Sequence, residues 1–172
     1  RQFLVEARNI RFEGNGYSKE WESEAAARGL RPIKNVPEAY EVYHEKQTID
    51  LFKNIGVLAA NEIEARFEIL NETYVKKLQI EARVIGDMCL NHVIPAAVRY
   101  QNILIENVKG MKEIFGDESI NLCSSEIDTL KKISTYINTL SADVVALVEA
   151  RKKANRIEDI GERAKVYSYE VK

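Results

Sequence analysis

From Ile63 onward apolar residues return every three or four positions: Ile63, Phe67, Leu70, Tyr74, Leu78, Ala82 and Ile85. That recurrence marks one face of an α-helix. Asn61 with Glu64 fits a capping box at its start, and the stripe resumes through Val93, Ala96, Ala97, Tyr100, Ile103 and Leu104 toward Gly110. Unbroken, a helix over 61–110 would be about 70 Å long. Pro95 interrupts it, and a proline inside a helix removes a hydrogen bond and crowds the carbonyl four residues back. Because the stripe continues in phase, the pattern predicts a kink over Asn91 to Pro95 rather than a stop. The connection FGDESINLCSSE, 115–126, follows, with Ser125 and Asp128 (or Ser124 one position earlier) as caps. A second stripe, Ile127, Leu130, Ile133, Ile137, Leu140, Val144, Leu147 and Val148, predicts a second long helix over about 125–155. Two such rods on a short turn bury both stripes by folding back as an antiparallel hairpin.

The first sixty residues are patterned differently. ARNIRF reads as a helix end running into a short strand, and GNGYS as a turn. A helix over Ser18 to Arg28 is closed by Gly29, a position where a left-handed stop is usual. RPIKNVP is a linker, and short helices are expected over Pro37 to Lys46 and Thr48 to Asn54, the second ending at Gly56. The tail starts another helix at Asp159 and carries no end signal. The expected fold is mainly α: residues 57–172 a helical hairpin or bundle, and 1–56 a strand-turn-helix remnant, linker and short helices, partly unsupported.

Composition narrows the partners. The net charge is -2, and 30 % of residues are charged with both signs mixed. No basic block or aromatic-interleaved patch suggests nucleic acid, and no apolar run approaches the roughly 20 residues of a membrane span. The chain opens RQFLVEARNIRF, with no initiator Met and no apolar leader core, so a piece of a longer protein is expected. The two cysteines, Cys89 and Cys123, form no disulfide framework. They read as reduced and structural, which places the protein in the cytoplasm.

Four constellations invite chemistry. Gly14, Asn15 and Gly16 could converge amides on a phosphate ahead of a helix. However, no Lys or Ser/Thr stands where a P-loop needs them, and Lys19 occupies the place of a dinucleotide fold's third glycine. A turn with positive φ and a Ser18 cap is the reading preferred. EVYH, Glu41 to His44, supplies one Glu-x-x-His pair, but a di-iron carboxylate bundle needs two, and His92 is preceded by Cys89, so no metal site is expected. Cys89 and His92 stand one turn apart, yet a thiol in an apolar helix is a poor nucleophile. Last, Asn91, His92, Arg99, Gln101 and Asn102 thread polar groups through a strongly apolar stretch and are candidates for contact with another subunit. No residue is singled out as catalytic.

The strings GNGYS-x-EW, EARFE, QIEAR and IPAA-x-RYQN, in that order across nearly the whole chain, resemble the C-terminal part of type III glutamine synthetases. The resemblance implies a parent ligase, bacterial above all, that joins ammonia to glutamate through a γ-glutamyl phosphate, using ATP and Mg or Mn ions in a cytoplasmic ring of identical subunits. It also implies that metal-binding carboxylates, nucleotide contacts and substrate arginines lie upstream, so no cofactor is expected on this piece. The GNGYS turn becomes the corner where a catalytic domain hands over to a helical appendage, inactive alone and structural. A helical interaction module with no ligase parent is the alternative.

Overall fold

Glu62 sets where the long helix begins. Its Oε2 accepts the Ala59 backbone N–H at 2.6 Å, one half of a capping box, two residues ahead of the Asn61–Glu64 pair expected. The computed structural model describes residues 2–7 and 11–171. Among them the helices are α1 (Gln2–Glu6), α2 (Lys19–Ala27), α3 (Val36–Glu41), α4 (Lys46–Asn54), α5 (Ala60–Met88), α6 (Ile94–Phe115), α7 (Ser119–Leu122), α8 (Ser124–Ala154) and α9 (Ile160–Val166). The described residues contain no strand. The strand expected after ARN falls partly outside them, and Arg11 and Phe12 lie in irregular backbone.

Between α5 and α6 the chain makes a π-turn, Cys89–Val93, in which the Ile94 N–H reaches back five residues to the Cys89 carbonyl. This is how Pro95 is accommodated: widening the preceding turn carries the carbonyl its ring would strike out of the way. The long helix therefore passes Gly110 and ends at Phe115. There Gly116, at φ 59° and ψ -134°, takes a backbone conformation suited to glycine. The α8 cap also differs from expectation. Cys123, which is buried, is the N-cap residue without a side-chain cap, while Ser125 Oγ donates to its neighbour Glu126 at 2.8 Å. The stops at Gly29 and Gly56 are as anticipated, each with positive φ. Leu30 N–H bonds to Ala25 O and Val57 N–H to Phe52 O, the longer-range bond of a Schellman motif in both cases.

Three cross-contacts show that the rods run antiparallel. Gln101 donates to Ser134 Oγ at 2.8 Å, a methyl group on Gly86 would meet Val144 at 3.8 Å, and Gln79 donates to Asn155 at 3.2 Å. As one number falls, its partner rises. Burial along the hairpin is uneven. α6 contributes no fully buried residue, whereas Val75 and Ala82 of α5 and Ala154 of α8 close around Ala164, Tyr167 and Val171. The tail that lacked an end signal is thus the core: α9 and a second π-turn, Tyr167–Val171, wedge against the open end of the hairpin. Nor is all of the first sixty residues unsupported, since α3 docks on α5 and α9 with Pro37 buried beneath it.

Tyr167 is wholly buried, and its hydroxyl donates to Asn155 Oδ1 at 2.8 Å. Burial pushes its pKa up, with Arg151 and other nearby cations opposing in part. A phenol whose pKa is higher folded than unfolded stabilises the fold fully below the unfolded value of about 10, and that contribution is lost as pH climbs through the folded value. In urea unfolding the midpoint should hold from neutral pH to about 9 and fall above about 10. Tyr167→Phe should cost about 1 kcal/mol at neutral pH and soften the alkaline fall; an equally steep fall in the variant would assign that loss to other groups.

Candidate functional site

The glycine-rich turn is held by its own side chains. Asn15 Oδ1 accepts the Tyr17 N–H at 3.0 Å, and Ser18 Oγ accepts the Trp21 N–H at 3.3 Å as the α2 cap. Two amides that an anion would use are therefore already engaged. Neither Gly14 nor Gly16 has positive φ, which corrects the conformational reason expected for them. Gly14 lacks a side chain because Phe12 lies over it, its Cζ 2.5 Å from where a Cβ would be. Phe12 in turn stacks on Trp21 with ring centroids 4.5 Å apart.

A second place gathers more charge. The α3 end continues into a 3₁₀ turn, Val42–His44, which lays the His44 ring on Phe67 with centroids 3.8 Å apart. His44 Nε2 and Glu64 Oε2 are 3.1 Å apart. Glu41, the other half of the EVYH pair, turns instead to Lys165 of α9, which also meets Glu162 at 2.9 Å. Glu41 first, then Glu162, raise the Lys165 pKa, so this ammonium is charged throughout the ordinary pH range. Asn35 Oδ1 caps α3 by accepting the Glu38 N–H at 3.0 Å, and its amide donates to Tyr169 Oη at 2.7 Å. The Tyr169 hydroxyl donates to Glu38; that bond, then Asn35, lowers the Glu38 pKa. Between these groups and Arg31, itself paired with Glu45, lies an open cleft of about 420 Å³. Its carboxylates are spoken for within the chain. The cleft is bounded by a polar clamp joining residues 31–45 to α5 and α9.

No three His, Cys, Asp or Glu side chains among the described residues converge as a metal ion would require. Cys89 is half-buried and Cys123 buried, both as free thiols. Of the five contact candidates, Gln101 turns inward to Ser134. Asn91, His92, Arg99 and Asn102 are exposed on the long helix, with Asn91 donating to Asp87 at 2.7 Å. Periodicity alone did not reveal how much apolar surface accompanies them: Met88, Val93, Tyr100 and Ile103 are among the exposed residues around them. Nor did it reveal the partners of His44, which come from different elements. No described helix is long and apolar enough to cross a membrane.

Among the described residues the fold is a helical hairpin: two docked rods, a plugged base and an upper part with much apolar surface exposed. The chain belongs to the glutamine synthetase C-terminal domain family, whose profile matches residues 1–112. That match ends within α6, whereas full-length relatives carry the similarity further. A glutamine synthetase of Bacteroides fragilis (strain YCH46) is 40 % identical over 173 residues, covering 100 % of this chain and 24 % of the relative. One of Butyrivibrio fibrisolvens is 29 % identical, covering 97 % of the chain and 23 % of that protein. A type-3 glutamine synthetase of Dictyostelium discoideum is 30 % identical, covering 88 % and 21 %, so such relatives are not confined to bacteria. The chain spans about a quarter of the length of these relatives.

The clamp can be weakened at one point. A methyl group at Gly161 would stand 3.1 Å from Phe67 Cζ and 3.3 Å from Asp159 Oδ1, pressing the ring that carries His44. Gly161→Ala should lower stability by about 1–3 kcal/mol, the usual cost of overpacking, despite the helix propensity it gains. Thermal unfolding of the variant reads this directly, and an unchanged or raised midpoint would refute the close fit.

Proposed function

We propose that this chain is the C-terminal helical part of a type III glutamine synthetase. The parent joins ammonia to glutamate at the expense of ATP, by way of γ-glutamyl phosphate, with Mg or Mn ions. It works in the cytoplasm as a ring of identical subunits. Within it, residues 1–56 form the passage out of the catalytic domain and 57–172 the hairpin, whose role is structural and directed at subunit contact. The observation that carries the reading is the 40 % identity to a glutamine synthetase over the full length of the chain. Among the described residues no three His, Cys, Asp or Glu side chains converge, and the Tyr17 and Trp21 amides of the GNGYS corner are bonded within the chain. We assign ATP and the metal ions to the upstream part of the parent, and no step of the reaction is drawn through this piece.

The reading is tested on two polypeptides. The full-length protein should form glutamine from glutamate, ammonia and ATP, whereas residues 1–172 alone should show no γ-glutamyl transfer. Turnover by the isolated chain would overturn the placement of the reaction centre; a full-length protein without ligase activity would overturn the parentage.

A further inference from the structure

At the base of the hairpin, Gln79 Nε2 donates to Asn155 Oδ1 at 3.2 Å. One turn further along the antiparallel pair, Arg83 of α5 therefore stands opposite Arg151 of α8. The two helices run close here, since a methyl group on Gly86 would touch Val144 at 3.8 Å. Like charges are brought face to face, which costs stability unless something of opposite sign lies between them. Arg83 is exposed and Arg151 half-buried. Neither guanidinium forms a hydrogen bond or ion pair among the described residues.

Tyr167 marks where the charges converge. Burial raises its pKa, and Arg151, then the Gln79 amide, Arg163 and Arg83 oppose the rise. Three guanidiniums, from α8, α9 and α5, thus act on one hydroxyl. Arg163 is committed, its Nε donating to Ile157 O at 2.7 Å. Nearby carboxylates are committed as well. Glu72 meets Lys76 and Glu149 meets Lys152, each at 2.8 Å. Asp87 accepts Asn91 at 2.7 Å, and Asp159 caps α9. Glu81 lies on the other flank of α5, beside Leu78 and Val171, and Glu158 lies beyond the end of α8, where its carbonyl holds Arg163.

What is left at the seam donates. Asn155 has spent its side-chain oxygen on Gln79 and Tyr167 and keeps its amide hydrogens. A guanidinium presents paired N–H groups that match two oxygens of a phosphate, and two of them suit a dianion. We propose that Arg83 and Arg151, with the Asn155 amide beside them, bind a phosphate group at the base of the hairpin. The site uses side chains of this chain alone and goes beyond the ligase reading, whose nucleotide is assigned elsewhere.

The test applies phenylglyoxal, which adds to arginine guanidiniums, to the full-length polypeptide that carries this chain, and follows each arginine by peptide mass. Inorganic phosphate should slow the modification of Arg83 and Arg151 about threefold to tenfold as the site fills. Arg99, exposed on α6, should react at an unchanged rate, and chloride at the same ionic strength should protect neither. Arg83→Gln should abolish the protection of Arg151, and Arg151→Gln that of Arg83. Arg83→Lys, which keeps the charge but loses the fork, should retain part of it. Methyl phosphate protecting equally would extend the site to phosphate esters, and its failure beside inorganic phosphate would confine it to the free ion. Protection no greater than at Arg99, equal protection by chloride, or protection of Arg151 that survives Arg83→Gln would overturn the site. The readout is residue by residue, so phosphate bound elsewhere on the parent does not enter it, and either result leaves the ligase reading standing.

Discussion

Two long helices joined by a short turn cannot hold together well by their facing stripes alone, because a pair of cylinders meets along a line. The constraint on this fold is to supply a third body at that line, and α9 with the Tyr167–Val171 turn does so. Ala154, Ala164 and Tyr167 lose all their exposure there. Small residues let the segments approach, and the large phenol fills the space between them. Its hydroxyl reaches Asn155, which also receives Gln79 from α5, so one amide oxygen joins all three bodies. Above this plug the hairpin has only its own seam, and burial thins accordingly along α6.

That gradient separates what could be read from the sequence from what could not. The rods were legible because a stripe of period 3.6 has no other economical use, and the stops at Gly29 and Gly56 because positive φ leaves few alternatives to glycine. The caps of the two long helices were misplaced by a residue or more, whereas Ser18 caps α2 as expected. Asn61, Glu64, Ser125 and Asp128 are all plausible cap residues, and the choice fell to contacts from elsewhere: Glu64 meets His44, and Asp128 meets Lys131 at 3.2 Å. The disturbance at Pro95 was foreseen in place, over Asn91 to Pro95; the backbone form it takes there, a π-turn over Cys89–Val93, was not. The tail was read as a helix with no end signal, from its charges and tyrosines; Ile160, Ala164, Tyr167 and Val171 do step by three or four, but over too short a stretch to show what they pack on. Their burial depends on α5 and α8 being present first.

The candidate site was legible in the same uneven way. GNGYS drew attention for its glycines, yet Gly14 is explained by the ring of Phe12, a neighbour two residues away whose position no spacing rule specifies. EVYH supplied the residue types of a metal pair, but its two members face different elements, Glu41 toward α9 and His44 toward α5. The polar residues threaded around Pro95 were picked out because they broke an apolar pattern. What the pattern concealed was a second apolar row beside them, since a helix apolar on two sides gives a blurred rather than a doubled period.

A helix apolar on two faces is costly for a solitary hairpin and useful for one that stands among neighbours. Exposed single apolar residues are common on any protein surface and call for no explanation. A row following one line of a helix across a proline is another matter. The π-turn bears on this directly. A helix break would have ended the row, whereas a wide turn satisfies Pro95 and lets the helix run on into α6. The form in which Pro95 is accommodated thus favours continuity of the outer surface, the side on which the hairpin leaves large apolar residues exposed.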